Sequence, residues 1–113
     1  MNVLVTGCFG FIGYNFLIYL NQNFPKDFNL IGIDSLITKT SRENQIEFKD
    51  TNNFTFYELD INDINKISES SIDLIINFAA ESHVDNSITD PNKFIKSNVM
   101  GTNELLKFAY KNE

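Results

Sequence analysis

An α/β protein with a doubly wound parallel sheet is the fold class that the sequence predicts, and two observations support this prediction. Short apolar runs with the length of buried strands alternate with segments whose apolar residues recur every three or four positions. A glycine-rich turn separates the first run from the first helical segment, and the next two runs end at Asp34 and Asp60. Strands that alternate with helices in this way are parallel and joined by right-handed crossovers, which predicts the strand order 3-2-1-4.

Four apolar runs predict the strands. The first is rich enough in apolar and β-branched residues to be buried on both faces, and it ends at Gly7. The fourth is nearly continuous but too short for a typical helix, so it suits a central strand. The four runs are Asn2–Thr6, Leu30–Ile33, Phe54–Leu59 and Ile72–Ala80.

Helical periodicity is clearest in two segments. The first begins at about Phe11 and continues until Pro25, which stops it. The second begins with Asp90 as N-cap and Pro91 in the first turn, and one apolar face of it is predicted to pack on the core. The residues of that face are Phe94, Ile95, Asn98, Val99, Thr102, Leu105, Leu106 and Ala109.

Two stretches between the strands carry weaker patterns. The polar residues 35–53 predict a loop that contains one short helix, around Ile46 and Phe48. Ile61, Ile64 and Ile67 indicate a brief helix after the third strand.

Composition limits the classes of protein to consider. The 113 residues are enough for one core, so residues 1–113 are predicted to form one domain or part of one. A net charge of −6 argues against nucleic acid as a partner. No apolar run approaches the roughly 18 residues of a membrane span, and no basic region precedes the first strand, so a cytoplasmic protein is expected. One cysteine and one histidine make no recognisable disulfide or metal site.

Three glycines stand between the first strand and the first helix, at Gly7, Gly10 and Gly13. Gly7 permits a tight turn, Gly10 lets a diphosphate approach the backbone, and Gly13 lets the helix pack closely on the strand. Backbone N–H groups at the helix N-terminus can then bind phosphate without a basic patch. An ordinary glycine-rich turn is the alternative, because the spacing Gly-x-x-Gly-x-x-Gly differs from the usual dinucleotide fingerprint.

Asp34 at the end of the second strand favours a dinucleotide. It lies about 20 residues after the last glycine, where a carboxylate accepts hydrogen bonds from the adenosine ribose hydroxyls. The same charge would repel a 2′-phosphate, so NAD is expected rather than NADP. The alternative is a turn residue at the end of a strand.

Two further strand ends fall at the same predicted edge. Asp60 is placed to reach the adenine amino group and Ile61 to cover the ring, although an Asp at this position is also suited to cap a helix. At the end of the fourth strand, the small side chains of Ala79 and Ala80 would let a cofactor lie against the backbone. Together with the glycines, these strand ends predict the N-terminal half of a Rossmann-type, NAD-binding domain.

The chain resembles the N-terminal half of dTDP-glucose 4,6-dehydratases, which are extended short-chain dehydrogenases/reductases. The resemblance covers the chain apart from residues 35–53, and its most specific motif is Ala-Ala-Glu-Ser-His-Val-Asp. The motifs are Val3–Gly13, Leu59–Ile61, Phe78–Ile88, Asp90-Pro91, Phe94-Ile95, Asn98-Val99 and Gly101-Thr102.

This resemblance implies an enzyme that oxidises C4 of a nucleotide-linked glucose with NAD, eliminates water across C5–C6 and returns the hydride to C6. It also implies contacts with the cofactor and with the nucleotide-sugar substrate. The cofactor contacts are Gly7, Gly10, Phe11, Ile12 and Gly13 at the pyrophosphate, Asp34, Ser35, Leu36 and Ile37 at the ribose, Asp60 and Ile61 at adenine, Phe78, Ala79, Ala80, Glu81 and Ser82 on the nicotinamide side, and Ser97. Ser82 and His83 are the implied substrate contacts, although His83 also suits a strand-end histidine bonded to the backbone.

Several positions depart from the family pattern. Cys8 and Phe9 replace the usual small pair between the glycines, Ser35 replaces a common Lys, and Asn86 replaces a common Arg. Because Asn86 also occurs in related UDP-glucose dehydratases, the nucleotide base stays open. In this family the helix after the fourth strand can also contact another subunit, which makes a homodimer of the full-length protein a further expectation.

The chain does not contain the catalytic residues that the resemblance implies. Dehydrogenases of this superfamily use a Tyr-x-x-x-Lys pair, in which lysine and cofactor charges lower the tyrosine pKa so that the phenolate takes the C4 hydroxyl proton. Ile18, Asn23 and Ile61 stand four positions after the first three tyrosines, and Tyr110 is too near Glu113 to have such a partner. We therefore expect these 113 residues to bind NAD without turnover.

Three hypotheses about function follow from these observations. The chain is the cofactor half of a 4,6-dehydratase, part of another nucleotide-sugar epimerase or decarboxylase, or a non-catalytic dinucleotide-binding module. The motif Glu81–Asp85 favours the first hypothesis over the second. Exposed apolar surface on the open edge of the fourth strand would count against the third, because an isolated module should protect such an edge.

Overall fold

Four parallel strands form one sheet in the computed structural model, which describes residues 1–68, 71–80 and 88–112. The strands are β1 (Asn2–Thr6), β2 (Asn29–Asp34), β3 (Phe54–Glu58) and β4 (Leu74–Asn77). Their order is β3-β2-β1-β4, so the predicted fold class and strand order are confirmed. β4 is shorter than predicted, because its pairing with β1 extends from Leu74 to Asn77.

Helices connect the strands and follow the last of them. They are α1 (Phe11–Asn23), α2 (Lys39–Phe48), a 3₁₀ helix (Ile61–Lys66), α3 (Pro91–Phe94), a π-helical segment (Ile95–Met100) and α4 (Gly101–Lys111). The prediction for α1 is confirmed, since the helix ends just before Pro25. Within the described residues, no helix is long and apolar enough to cross a membrane.

The segment predicted as a loop with one short helix contains α2, a helix of ten residues. Thr38 caps it, because its Oγ1 accepts a hydrogen bond from the Ser41 N–H at 3.0 Å. Periodicity underestimated this helix because Ser41 and Phe48 are its two buried residues. A helix with so narrow a buried face shows little apolar periodicity in its sequence.

The core occupies both faces of the sheet. Because successive residues of a strand point to opposite faces, Val3 and Val5 of β1 lie on one side and Leu4 on the other, all of them buried as predicted. One cluster contains Val3, Val5, Cys8, Phe9, Leu17, Leu20, Leu30 and Phe48. The other contains Leu4, Ile31, Ile33, Ile61, Ile64, Ile67, Leu105 and Phe108.

The helix after β4 begins as predicted. Asp90 is the N-cap, its Oδ1 accepting a hydrogen bond from the Lys93 N–H at 3.3 Å, and Pro91 occupies the first turn. The backbone stays in the right-handed helical region at Ile95 and Gly101, so α3, the π-helical segment and α4 follow one another without a break. We call the three together the C-terminal helix.

The predicted core face of the C-terminal helix is partly wrong. Leu105 is buried, but Ile95, Val99 and Leu106 are exposed. The physical reason is that the helix packs on the core through one narrow side of α4, against the 3₁₀ helix that begins at Ile61, and this side does not continue along the predicted face. The residues of α4 that pack on the core are Gly101, Leu105 and Phe108.

Candidate functional site at the carboxyl edge of the sheet

The turn after β1 lies at the edge where the carboxyl ends of the strands meet. Gly7 has φ +60°, a conformation that favours glycine, and a Cβ there would lie 2.7 Å from backbone atoms of Phe78 and Ala79. The tight turn predicted at Gly7 is thereby confirmed. A Cβ at Gly13 would collide with the Gly7 carbonyl oxygen, so α1 packs on the turn itself more closely than on β1.

The N-terminus of α1 is open to a ligand. Gly10 is its N-cap, no side chain caps it among the described residues, and its first turn contains no acidic residue. Among the described residues, a Cβ at Gly10 would meet only the Gly7 carbonyl oxygen, at 3.4 Å. Phe11 and Ile12 beside it are 84% and 65% exposed. Free N–H groups and the helix dipole make such a terminus suited to an anion.

The half-buried carboxylate of Asp34 joins the glycine turn to the segment after β2. Its Oδ2 accepts a hydrogen bond from the Phe9 N–H at 3.0 Å, and its Oδ1 accepts one from the Leu36 N–H at 2.8 Å. A carboxylate has about four acceptor sites, so both oxygens can still accept hydrogen bonds from ligand hydroxyls. Asp34 is therefore a turn residue, as the alternative interpretation held, and keeps the capacity that a ribose site needs.

The segment after Asp34 is a defined turn. Leu36 is half-buried with φ +54°, an uncommon conformation for a residue other than glycine, while Ser35 and Ile37 are exposed. Arg42 of α2 donates from Nη1 to the carbonyl oxygens of Leu36 at 3.1 Å and Ile37 at 3.0 Å. Arg42 was not predicted to have a role, because a lone basic residue in a polar segment carries no signal of such a contact.

Phe9 anchors the glycine turn in the core. Its side chain is fully buried, and its ring makes edge contacts with Phe48, Phe54 and Phe56 at centroid distances of 6.4, 5.8 and 5.0 Å. Asn44 of α2 donates from Nδ2 to the Phe9 carbonyl oxygen at 2.9 Å. Phe9 is one of the positions that depart from the family pattern, and the contact of Asn44 with it was not predicted.

The end of β4 lies against the same turn. The buried Thr6 hydroxyl donates to Oδ1 of Asn77 and accepts a hydrogen bond from the Ala79 N–H at 3.3 Å. The ring of Phe78 packs on Phe16 with a centroid distance of 5.5 Å, so the Phe78 side chain contributes to the core. Ala80 is exposed at the end of the segment. The backbone of Phe78 and Ala79 therefore lies beside the glycine turn, which agrees with the predicted position of β4 next to β1.

Asp60 and Ile61 have structural roles at the end of β3. Asp60 is the N-cap of the 3₁₀ helix, since its Oδ1 accepts a hydrogen bond from the Asn62 N–H at 2.8 Å. Ile61 is buried beneath α4, where a Cβ on Gly101 would lie 2.5 Å from its Cγ2. The helix-capping role of Asp60 is thus confirmed. It does not exclude an adenine contact, which stays a prediction for Asp60 and Ile61.

The other predicted residues are distributed as follows. Ser97 is half-buried within the π-helical segment. Glu81, Ser82 and His83 lie outside the described residues. Cys8 is fully buried, and burial together with the nearby Asp34 carboxylate raises the pKa of its thiol, which agrees with an inert residue in the turn.

The parallel sheet of order 3-2-1-4 and the glycine turn at its carboxyl edge define a Rossmann-type fold. Comparison with known proteins identifies the family more closely. The family model described as GDP-mannose 4,6 dehydratase matches residues 4–113, so the chain belongs to that family.

Similar proteins confirm the resemblance to nucleotide-sugar dehydratases. The low-salt glycan biosynthesis protein Agl12 of Haloferax volcanii is 44% identical over 96% of this chain and 35% of its own length. The dTDP-glucose 4,6-dehydratase DesIV of Streptomyces venezuelae, solved with NAD bound, superposes with a TM-score of 0.87 and 36% identity over 99% of this chain and 36% of its own. A UDP-glucuronic acid 4-epimerase of Bacillus cereus, solved with UDP-glucuronic acid and NAD, superposes with a TM-score of 0.81 and 28% identity. The match covers 95% of this chain and 35% of the epimerase.

The chain spans about a third of the length of the curated relatives that it matches. The matched third contains the glycine turn, Asp34 and the end of β4. The geometry described above therefore belongs to the part of the relatives that this chain shares.

Proposed function

We propose that this chain is the NAD-binding part of a nucleotide-sugar 4,6-dehydratase. One observation carries the proposal: the uncapped N-terminus of α1 stands next to a carboxylate, Asp34, that two backbone N–H groups hold in place. A group with a diphosphate beside a ribose diol fits this pair of features. NAD is such a group, and the Asp34 charge disfavours a 2′-phosphate.

Each part of the edge then has a task in holding NAD. The backbone of Gly10, Phe11 and Ile12 binds the diphosphate, Asp34 accepts hydrogen bonds from the ribose hydroxyls, and residues 78–80 line the nicotinamide side. NAD supplies the hydride acceptor and donor for oxidation at C4 and reduction at C6 of the sugar. Asp60 and Ile61 contact adenine in this proposal. Glu81, Ser82 and Ser97 complete the cofactor contacts, with Ser82 and His83 also contacting the substrate.

The test uses the protein expressed at its full encoded length. It is incubated with dTDP-glucose or UDP-glucose in the presence of NAD⁺, and the products are analysed by mass spectrometry and NMR. We expect a 4-keto-6-deoxy sugar that lacks one molecule of water, with no net change in the amount of NAD⁺. Recovery of both sugars unchanged would overturn the proposal, and the preferred substrate would identify the nucleotide base.

A nucleotide-sugar epimerase is the second candidate, favoured by the likeness to the UDP-glucuronic acid 4-epimerase. The same incubation distinguishes the two, because an epimerase leaves the mass of the sugar nucleotide unchanged and inverts one carbon. Epimer without water loss would replace the dehydratase proposal with this one.

The open edge of β4 opposes the hypothesis of a free-standing module. β4 is an edge strand without charged residues, and Leu74 is 44% exposed on it. Such an edge calls for covering by further chain. We accordingly propose that the 113 residues alone bind NAD weakly and catalyse no turnover, since they lack the Tyr-x-x-x-Lys pair. Formation of the keto sugar by the purified 113-residue chain would contradict this.

The exposed face of the C-terminal helix supports a homodimer of the full-length protein. Ile95, Val99, Leu106 and Tyr110 are all more than half exposed on it. An apolar surface of this kind indicates a covering partner. We expect a dimer in sedimentation velocity that Val99→Lys converts to monomer, whereas Lys107→Ala on the same helix leaves it intact. A wild-type protein that sediments as a monomer would exclude this arrangement.

We also propose a cytoplasmic location. The unpaired thiol of Cys8 fits a reducing compartment. Detection of the protein in the soluble cytoplasmic fraction of its source cells would support this, and secretion would contradict it.

A further inference from the structure

Helix α2 contacts both segments of the proposed NAD site, although it lies in the part of the sequence that carries no family motif. We propose that Asn44 and Arg42 of α2 are positioning residues for the adenosine half of the dinucleotide. They hold the glycine turn, residues 7–13, in register with residues 34–37, which we call the ribose turn. This inference rests on the proposed NAD site and assigns it a supporting structure.

Asn44 acts on the glycine turn. Its Nδ2 donates to the Phe9 carbonyl oxygen at 2.9 Å, while the Phe9 N–H donates to Asp34 at 3.0 Å. Both backbone polar groups of Phe9 are therefore hydrogen-bonded. Its carbonyl oxygen accepts from Asn44 of α2, and its N–H donates to the carboxylate of Asp34. Because Phe9 directly precedes Gly10, this pair of bonds sets where the N-cap of α1 lies relative to Asp34.

Arg42 acts on the ribose turn. Its Nη1 lies 3.1 Å from the carbonyl oxygen of Leu36 and 3.0 Å from that of Ile37, and the Leu36 N–H bonds to the other oxygen of Asp34. The left-handed conformation of Leu36 is unfavourable for a branched side chain, so surrounding interactions must maintain it. The guanidinium and the Asp34 carboxylate supply those interactions from either side of the turn.

The helix that carries both residues is itself firmly held. Phe48 packs edge-on against Phe54 with a centroid distance of 4.9 Å, and Thr38 caps the N-terminus. Glu47 accepts a hydrogen bond from the Tyr14 hydroxyl at 2.9 Å, which joins α2 to α1. Partial burial and the Glu47 carboxylate raise the pKa of Tyr14, so the hydroxyl keeps the proton that it donates. α2 can therefore transmit a fixed geometry to the two turns.

The experiment measures binding of NAD⁺ and of ADP, which contains the adenosine diphosphate half, by isothermal titration of the full-length protein. Asn44→Ala removes the bond to Phe9, and Asn44→Asp removes the donor while keeping the size of the side chain. Asn23→Ala is the matched control, because Asn23 Nδ2 also donates to a backbone carbonyl at 2.9 Å, at the far end of α1. Arg42→Met and Arg42→Lys test the second contact.

We expect dissociation constants for NAD⁺ and ADP to rise by the same factor, about tenfold, in both Asn44 variants and in Arg42→Met, with a smaller rise in Arg42→Lys. The kcat at saturating NAD⁺ and the unfolding midpoint without ligand should stay close to those of Asn23→Ala. Dissociation constants for NAD⁺ within about twofold of the wild-type value would overturn the inference. A loss of affinity that is explained by a lower unfolding midpoint would also overturn it.

Two further results are decisive. If the Asn44 variants do not fold, the exposed Arg42 variants decide the inference by the same criteria. If the wild-type protein does not bind NAD⁺, the proposed function fails and this inference fails with it, an outcome that differs from a wild type that binds and variants that bind equally well.

Discussion

The glycine turn and the C-terminal helix differ in how their apolar side chains are covered. Phe9 in the turn is fully buried and contacts four aromatic rings, whereas Val99 and Leu106 on the C-terminal helix are 62% and 65% exposed. The rings that cover Phe9 belong to the described residues, and no described residue covers Val99 or Leu106 to the same degree. The comparison teaches that an apolar pattern locates a packing surface without saying which element covers it.

The largest change in the free energy of unfolding is expected for the buried Phe9. We expect Phe9→Ala to lower the free energy of unfolding by about 4 kcal/mol, because it removes a ring from a packed core. Leu106→Ala, its counterpart on the exposed side, should change it by less than about 0.5 kcal/mol when both variants are measured in the 113-residue chain. Denaturant unfolding of both variants, followed by circular dichroism, measures the difference. Equal losses would mean that the Leu106 side chain is packed as tightly as the Phe9 ring.

A smaller loss of stability is expected for a substitution at Gly7, where the glycine turn contacts the residues that follow β4. Gly7→Ala should cost about 3 kcal/mol, because the positive φ disfavours alanine and its Cβ would press on the backbone of Phe78 and Ala79. Gly10→Ala, with more space and φ −71°, should cost less than about 1 kcal/mol. Chemical denaturation compares the two, and a larger loss at Gly10 would contradict the packing of the turn.

The cap of α2 tests how firmly the ribose turn is supported. Thr38→Ala should lower the free energy of unfolding by about 1 kcal/mol, since it removes the acceptor for the Ser41 N–H. The neighbouring Thr40, which is exposed within the helix, supplies the control variant Thr40→Ala, for which we expect little change. Thermal unfolding is sufficient for the measurement, and a loss at Thr40 as large as that at Thr38 would refute the capping role.

The last prediction concerns the rate at which the Cys8 thiol is alkylated, for which the smallest effect is expected. Because burial raises the pKa of the thiol, it stays protonated as the pH rises through the range where an exposed cysteine ionises, and the native protein should react very slowly with iodoacetamide at pH 8. Denatured protein should react fully, and mass spectrometry follows both reactions. Rapid labelling without denaturant would show that the turn opens more readily than its packing implies.

The fold could be predicted largely from local signals. Buried strands, the glycine spacing and the Asp90-Pro91 cap each depend on short stretches, which is why the strand order and α1 were predicted correctly. The extent of α2 could not be predicted in this way, because the helix is stabilised by the Thr38 cap and by the packing of Phe48 against Phe54. The exposed face of the C-terminal helix was also not predicted, since the side of the helix that packs on the core depends on its contact with the distant Ile61.

Some residues of the candidate site could likewise be predicted from local sequence, whereas others could not. The residue types at Gly7, Gly10 and Asp34 indicate a dinucleotide by themselves, because turn geometry and charge are properties of those residues and their spacing. The contribution of Asn44 has no such signal, since an asparagine in a polar segment has many uses. Its role depends on its distance to Phe9, which lies 35 residues earlier in the chain.

The sequence by itself determined the fold class, the position of the glycine turn and the carboxylate beside it, because each of these depends on neighbouring residues. Tertiary structure alone decided that Phe9 would anchor the turn, that Asp60 would cap a helix, and that α2 would hold the two turns together. These outcomes depend on contacts between residues far apart in the chain, whose free energies are set by the packed arrangement and not by local preference.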